Sequence, residues 1–428
     1  MAASILSFAR RKVALACDAH LRGALTILAL ALPTVAPARA EHAPVTAVAS
    51  HIENAQDHTR LVFDLTSSVA AHVWPIANPA RIIVDLPEVS FQMDSSANRG
   101  AGSKLIRAYR FGQFAPGRSR VVIDLAAPAS AVRVESQPAP SGARLIVELA
   151  PTSAARFTAD AQAAGAIPAT KASTPPPAPI GLAPLAPTEK PVVMIDPGHG
   201  GVDQGAVARN GTEEKMIVLA FARALRDKIE AGGRLHAVLT RDDDIFLPLA
   251  ERVALAHRAN AALLLSIHAD TLAAPHVEGA TVYTVSAAAS DAEAARTAEH
   301  ENNADQAAGL ETPAAEGEIG DILFDLTRRE THAFSRQFSH SLVTRWKEAG
   351  SLNKNPTRSA GFVVLKAHDI PSALLELGYV SSARDLARLT SPDWRDRAAG
   401  KTAEAIETFF AARAPAAVVA APVAPRPE

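Results

Sequence analysis

An α/β domain built on a mostly parallel, helix-covered sheet, preceded by a small all-β sandwich, is the fold class this sequence predicts. Three observations carry it. A six-residue pattern of arginine, three apolar residues, an acid and leucine occurs four times between residues 44 and 150. From residue 191 to 412, β-rich apolar runs alternate with segments of helical period, the signature of a parallel sheet with crossover helices. Between them, residues 152–190 are rich in proline and alanine, with Pro175-Pro-Pro177 at the centre. Such a stretch reads as an extended linker. Hydrophobic residues make up 48% of the 428-residue chain, enough for a sizeable core in each part.

The first 40 residues read as an export signal. Arg10, Arg11 and Lys12 form a basic start, Leu25–Leu32 is apolar, and Ala38-Arg39-Ala40 offers the small residues a signal peptidase needs. The apolar run is too short to span a bilayer, and no later stretch reads as a transmembrane anchor. Arg10-Arg11 is compatible with a twin-arginine route, and the weak match around it leaves the Sec route open. Removing this segment strips five basic residues and one acid from a chain of net charge −2. The remaining acidic chain gives no reason to expect nucleic acid as a partner. Cys17 is the sole cysteine, so the exported part has no disulfides and relies on its cores or on a metal.

The four copies in the first domain are Arg60–Leu65, Arg81–Leu86, Arg120–Leu125 and Arg144–Leu149. On a strand, Leu61, Phe63 and Leu65 face one side and Arg60 and Asp64 the other. The short-long-short spacing suggests two hairpin-like halves, with arginines and acids paired across strands on a solvated face.

In the second domain, strand Val192–Ile195 runs into Asp196-Pro-Gly-His199-Gly-Gly201. A helix follows over about Glu214–Ala231, then strand His236–Thr240, a helix near Leu249–Ala259, strand Ala262–Ile267 and strand Thr281–Val285. Residues 286–320 break the rhythm, with a helical bias over Ser286–Asp305 and an acidic stretch over Leu310–Gly320. A helix resumes near Ile319 and runs to about Ala349. Strands at Gly361–Leu365 and Ala373–Leu377 and a helix near Thr402–Ala411 close the domain, and residues 413–428 read as a disordered tail.

Carboxyl ends of parallel strands converge on one edge, where α/β sites form. His199, His268 and Glu376 each end or follow such a strand, and Glu214 opens a helix. Two histidines and a carboxylate suit a catalytic zinc, whose fourth position holds water. A further carboxylate, such as Glu376, then serves as proton acceptor and donor. Spacing alone leaves the alternative that His199 is incidental to a tight turn. The glycines around it read as room for a metal and a bulky substrate.

The ordered motifs Ile195-Asp-Pro-Gly-His-Gly-Gly201, Gly211-Thr-Glu-Glu-Lys215, Leu239-Thr-Arg-Asp-Asp243, Leu247-Pro-Leu-Ala-Glu-Arg252, Ser266-Ile-His-Ala-Asp270 and Leu374-Leu-Glu-Leu-Gly-Tyr379 resemble the zinc-dependent N-acetylmuramoyl-L-alanine amidases of the type-3 family. Residues 44–150 resemble the AMIN domain, a β-rich module that targets such enzymes to peptidoglycan. With the export signal, the chain looks like a periplasmic amidase of the AmiC type. The resemblance implies one Zn2+ per catalytic domain, held by His199, Glu214 and His268, with Glu376 as the catalytic carboxylate. Glu214 is preferred to Glu213 because the family's ligand precedes a lysine. Asp196 either orients the His199 ring or caps the turn, and Arg241 and Arg252 face either substrate or a structural ion pair. The implied reaction cuts the amide between N-acetylmuramic acid and L-alanine during septal wall splitting.

Related amidases carry an insertion at the place of residues 286–330. Gly317–Leu323 resembles the part that lies over the site until a LytM-domain activator displaces it. Glu318 then fills the open zinc position at rest; the alternative is an acidic surface loop. A catalytically silent peptidoglycan-targeting protein and a zinc peptidase cutting another stem-peptide bond are the competing readings.

Overall fold

A computed structural model of the chain describes residues 44–93, 103–165, 190–272, 277–310 and 322–413. The first domain consists of β1 (Val45–Asn54), β2 (Thr59–Leu65), β3 (His72–Ile76), β4 (Arg81–Pro87), β5 (Val89–Phe91), β6 (Ile106–Ala115), β7 (Arg118–Leu125), β8 (Ala129–Ala139) and β9 (Gly142–Pro151). They form two sheets, ordered β5-β1-β2-β9-β8 and β3-β4-β7-β6. Leu61, Phe63 and Leu65 pack against Ile82, Val84, Val121, Ile123, Leu145 and Val147 between the sheets, as the alternation requires.

The four repeated segments pair in a nested way rather than as consecutive hairpins. The first lies against the fourth, with Arg60 opposite Glu148 and Asp64 opposite Arg144. The second lies against the third, with Arg81 opposite Asp124 and Asp85 opposite Arg120. Antiparallel pairing sets the arginine that opens one copy against the acid near the end of its partner. All four pairs close as ion pairs, at 2.7, 3.0, 2.8 and 2.6 Å respectively.

The expected linker at 152–190 opens instead with a helix, α1 (Ala154–Gly165). Ser153 Oγ accepts the Arg156 N–H at 3.2 Å, a cap for the first turn. Phe157 and Ala161, one turn apart, are buried, and Phe157 joins the sandwich core. The proline-rich remainder lies outside the described residues.

The second domain runs β10 (Val192–Pro197), α2 (Glu214–Gly232), β11 (His236–Leu239), α3 (Leu249–Arg258), β12 (Ala261–His268), β13 (Ala280–Val285), α4 (Ala292–Asn302), α5 (Ala304–Ala307), α6 (Ile322–Trp346), β14 (Leu352–Ala360), β15 (Ser372–Glu376), α7 (Ala383–Leu389) and α8 (Pro392–Arg413). The sheet order is β11-β10-β12-β15-β13-β14. It is parallel throughout except where β13 meets β15. Both faces are covered. Val193, Ile195, Leu263, Leu265 and Leu375 pack under α2, α6 and α8, while Val192, Met194 and Leu264 pack against Leu255 and Ala256 of α3.

Gly361–Leu365 is not the expected strand. Val363–Leu365 forms a 3₁₀ turn, with Phe362, Val364 and Leu365 buried beside Tyr283 and Leu374. The edge strand is the polar segment just before it, β14. Its Arg358 reaches Asp291 and Glu293 at the start of α4, at 3.3 and 2.9 Å, so its polarity serves a contact between elements. The last helix begins ten residues earlier than its apolar period suggests, with Pro392 in its first turn, where a missing N–H costs nothing. Among the described residues, no helix is long and apolar enough to cross a membrane.

Candidate metal centre

His199 sits in a turn that its own sequence makes possible. Its φ is 56°, a left-handed conformation that disfavours a side chain. Two buried arginines hold the turn there. Arg252 donates to Pro197 O at 2.9 Å and His199 O at 2.8 Å. Arg241 donates to Pro197 O at 3.0 Å and Gly198 O at 2.8 Å. Burial and the neighbouring Arg252 push the Arg241 pKa down to about 10, so Arg241 keeps its charge at neutral pH, and both arginines serve the turn. The glycines make room for protein rather than for ligand. A Cβ on Gly198 would lie 2.3 Å from the His268 ring, and one on Gly201 would lie 1.8 Å from Gln113 O of β6.

Asp196 does not touch the His199 ring. Its carboxylate accepts from Thr240 Oγ1 at 2.6 Å, Ser266 Oγ at 2.7 Å and Arg252 Nη1 at 2.8 Å. It points across the sheet because it is the penultimate residue of β10 rather than part of the turn. Asp203, four residues beyond His199, takes the orienting place instead. Its Oδ2 lies 2.9 Å from His199 Nδ1, which leaves Nε2 free to face the site.

Glu214 opens α2 and is fully buried. Its two oxygens accept backbone N–H groups from Ala206 at 2.8 Å and Ala269 at 2.7 Å, and lie 3.3 Å from His199 Nε2 and 3.4 Å from His268 Nδ1. Glu213 turns away to Gln204 and Lys215. His268 ends β12 directly opposite Glu376 of β15, and the two imidazoles stand edge to face with centroids 5.0 Å apart.

A fourth donor comes from a residue that sequence reasoning missed. Glu301, in the last turn of α4, lies 3.0 Å from His268 Nδ1 and 3.5 Å from His199 Nε2. Ligand atoms of His199, Glu214, His268 and Glu301 all lie within 4.8 Å of one another. The signal for Glu301 is in the sequence. Ala294, Thr297, Ala298 and Glu301 are the buried face of α4, spaced i, i+3, i+4, i+7, and the glutamate is the one charge on it. Glu318, expected in this position, lies outside the described residues.

The electrostatics call for positive charge. Burial disfavours charge on both rings, yet Glu214, Asp203 and Glu301 hold His199 well above its ordinary pKa, and Glu301 and Glu214 hold His268 at about 10. Burial also opposes the Glu214 carboxylate, but the two histidines bring its pKa well below the usual value. Two protons or one divalent cation would satisfy this cluster. His199 Nε2, His268 Nδ1 and Glu301 Oε1 are buried without a well-formed hydrogen bond, and a mixed nitrogen and oxygen set of this kind fits zinc.

Glu376 is fully buried beside this group. Its Oε2 accepts the Asp270 N–H at 3.1 Å, and its Oε1 has no hydrogen-bond partner. Burial, reinforced by Asp270, Glu214 and Glu301, outweighs the pull of His268 and raises its pKa well above the ordinary carboxylate value. Burial and the charges of Glu301 and Glu214 likewise push Asp270 up to about 7.

Fold and site together define an α/β protein with a buried histidine–carboxylate group, able to hold a metal ion, at the carboxyl edge of its sheet. Residues 193–408 match the N-acetylmuramoyl-L-alanine amidase family and residues 50–149 match the AMIN domain. The amidase AmiC of Escherichia coli O6:H1 is 31% identical over 373 residues, covering 85% of this chain and 89% of the relative. AmiC of Neisseria meningitidis is 31% identical over 410 residues, covering 91% and 95%. AmiA of Escherichia coli K12, 37% identical over 222 residues, covers 52% of this chain and 76% of its own length. The chain belongs to the N-acetylmuramoyl-L-alanine amidase family, with the AMIN-plus-amidase organisation of an AmiC-type amidase.

Proposed function

We propose that this chain is a periplasmic, zinc-dependent peptidoglycan amidase that cleaves the bond between N-acetylmuramic acid and the L-alanine of the stem peptide. It serves septal wall splitting and rests with its site covered until a LytM-domain activator lifts the cover. The observation that carries this reading is the buried group of His199, Glu214 and His268 with Glu376 beside it and Glu301 closing it. His199, Glu214 and His268 would hold the zinc, which when bound supplies Lewis acidity toward the scissile carbonyl and the attacking water. Asp203 fixes the His199 tautomer through Nδ1. Glu376 takes a proton from the attacking water as the new C–O bond forms, and its unpartnered Oε1 is the atom available for it. As the C–N bond breaks, the same carboxyl returns the proton to the departing L-alanine amine. A carboxylate whose pKa is raised by burial suits both roles.

Catalytic zinc sites keep one position open. Glu301, on a helix in the inserted region, lies 3.0 Å from His268 Nδ1 and 3.5 Å from His199 Nε2 and would compete for that place, which supports a covered resting state.

The test is Glu376→Gln assayed on purified sacculi in activated enzyme. Release of free stem peptides beginning with L-alanine, read by mass spectrometry, should fall by about 10²–10⁴, while zinc content stays at one per chain. Fragments cut at another stem-peptide bond would refute the assignment of the scissile bond. Undiminished release by the variant would remove Glu376 from the mechanism.

A further inference from the structure

The two sheets of the β domain carry the same arginine–acid rows and use them differently. On the sheet holding β2 and β9, the Arg60 and Arg144 side chains are 36% and 55% exposed. On the sheet holding β4 and β7, Arg81 and Arg120 are only 10% and 5% exposed. What covers them is the end of the segment that carries Glu301.

Just past Glu301 the chain makes the single turn α5 and stops at Gly309, which has a φ of 76°. The last carbonyls of a helix have no partners within it. Three arginines of the β domain donate to the carbonyls at this end, of which Gln306 O also accepts the Gly309 N–H at 3.0 Å. Arg81 donates to Gln306 O. Arg110 Nε donates to Ala307 O at 2.7 Å. Arg120 Nη1 donates to Ala308 O at 3.0 Å. Each arginine is also held by an acid of its own sheet, Asp124 for Arg81 and Arg110 and Asp85 for Arg120, so the row is anchored to its own sheet as well as to the segment. Arg120 is further packed over the Phe114 ring, 3.5 Å from its centroid. Between the arginines, Ile83 and Val122 bury Ala308 together with Val202 and Phe246. A Cβ on Gly309 would come within 2.5 Å of Ile83 Cδ1. On its other side the segment is tied to the catalytic domain, by Asn302 to Gly361 and Val363 and by Asp305 to Leu249.

We propose that the β4–β7–β6 face is a clasp that holds the α4–α5 segment in place, so that the β domain itself stabilises the position of Glu301 over the metal centre. The link from clasp to enzyme activity rests on the covered-site reading above; the clasp itself does not. Charged hydrogen bonds to carbonyls are among the stronger ones a surface can make. Linkage makes the effect reciprocal: whatever occupies the arginine face loosens the segment, and whatever lifts the segment frees that face.

The experiment is hydrogen exchange of the full-length protein, with and without zinc, followed over residues 292–309. Two variants break the clasp from opposite sides: Arg81→Gln/Arg110→Gln/Arg120→Gln in the β domain, and Gly309→Val in the segment. Each should speed exchange of 292–309 about tenfold and raise basal release of stem peptides, while Arg60→Gln/Arg144→Gln on the opposite sheet leaves that exchange unchanged. If the triple variant fails to fold by circular dichroism, Gly309→Val decides alone, since it lies outside the β domain. Unchanged exchange in a folded Gly309→Val protein overturns the clasp. Faster exchange without higher basal release, in an enzyme that Glu301→Ala does activate, overturns the coupling. Should Glu301→Ala itself leave activity flat, the covered-site reading fails, and exchange alone judges the clasp.

Discussion

At the scale of single residues, two aspartates near His199 divide the work between them. Asp196 is legible as a buried acid next to a histidine, and the sequence left open whether it orients the ring or caps the turn. It does neither, because a strand residue one step before the turn points across the sheet, where Thr240, Ser266 and Arg252 absorb it. Asp203 was hidden because its reach back to Nδ1 depends on the doubly glycine turn folding His199 and Asp203 together. Gly200 and Asp203 exchange backbone hydrogen bonds at 2.8 and 3.0 Å, an arrangement no spacing rule announces. Residues that orient a metal ligand typically account for 10–100-fold in metal affinity. Asp203→Ala should therefore weaken zinc binding by about that factor, measured by competition with a chromophoric chelator, while the far-ultraviolet circular dichroism stays native. Unaltered affinity would mean that the turn alone fixes the ring.

At the scale of elements, the sheet was easy to read and the inserted region was not. Parallel strands buried on both faces are continuous apolar runs, so β10, β12 and β15 announce themselves. The edge strand β14 does not, since its composition answers to Asp291, which caps α4, and Glu293 in its first turn rather than to a core. The nearby apolar run at 361–365 is buried as a turn, and apolarity without alternation could not tell the two apart. Helix α4 was visible as a helical bias, yet the functional carboxylate was sought further along, at Glu318. Glu318 lies outside the described residues, and among the described ones the helical stripe singles out Glu301. On α4 the residues Ala294, Thr297 and Ala298 are small enough to let the helix lie close, and Glu301 ends the stripe beside His199 and His268. The expected result of Glu301→Ala follows. It removes a carboxylate that competes with water for the open position, so basal hydrolysis of sacculi should rise at least tenfold without activator and approach the activated rate. Zinc should remain bound through His199, Glu214 and His268. Lower activity with loss of zinc would make Glu301 an obligatory ligand and remove the cover hypothesis.

At the scale of the molecule, the β domain is more than a tether. Its role beside the catalytic domain could not be read from the sequence, because the four arginine–acid copies look alike and only folding shows which pair is covered. The covered face meets the amidase domain at several points. Gln113 O accepts the Phe246 N–H at 3.3 Å, Phe114 stacks on Phe246 with centroids 5.7 Å apart, and Ile76, Ile83 and Val122 share a cluster with Val202, Phe246 and Ala308. Gly112 and Gly201 are the closest approach: a Cβ on Gly112 would lie 2.3 Å from the carbonyl carbon of Gly201, in the same turn that presents His199. At about 1.5–3 kcal/mol for each large apolar side chain fully removed from water, this contact is worth several kcal/mol. One domain unfolding alone would forfeit it. Scanning calorimetry of the intact chain should accordingly give a single transition that zinc removal lowers as a whole. Gly112→Val wedges the two backbones apart without touching a metal ligand or a charge. It should split the transition in two, with only the larger, later-sequence domain still responding to a chelator. At about 2–4 °C per kcal/mol for domains of 150–250 residues, loss of several kcal/mol separates the peaks clearly. Two resolved transitions in the unmodified protein would show that the domains are held by their connecting chain alone, and the β domain would then be a targeting module with no part in the stability of its neighbour.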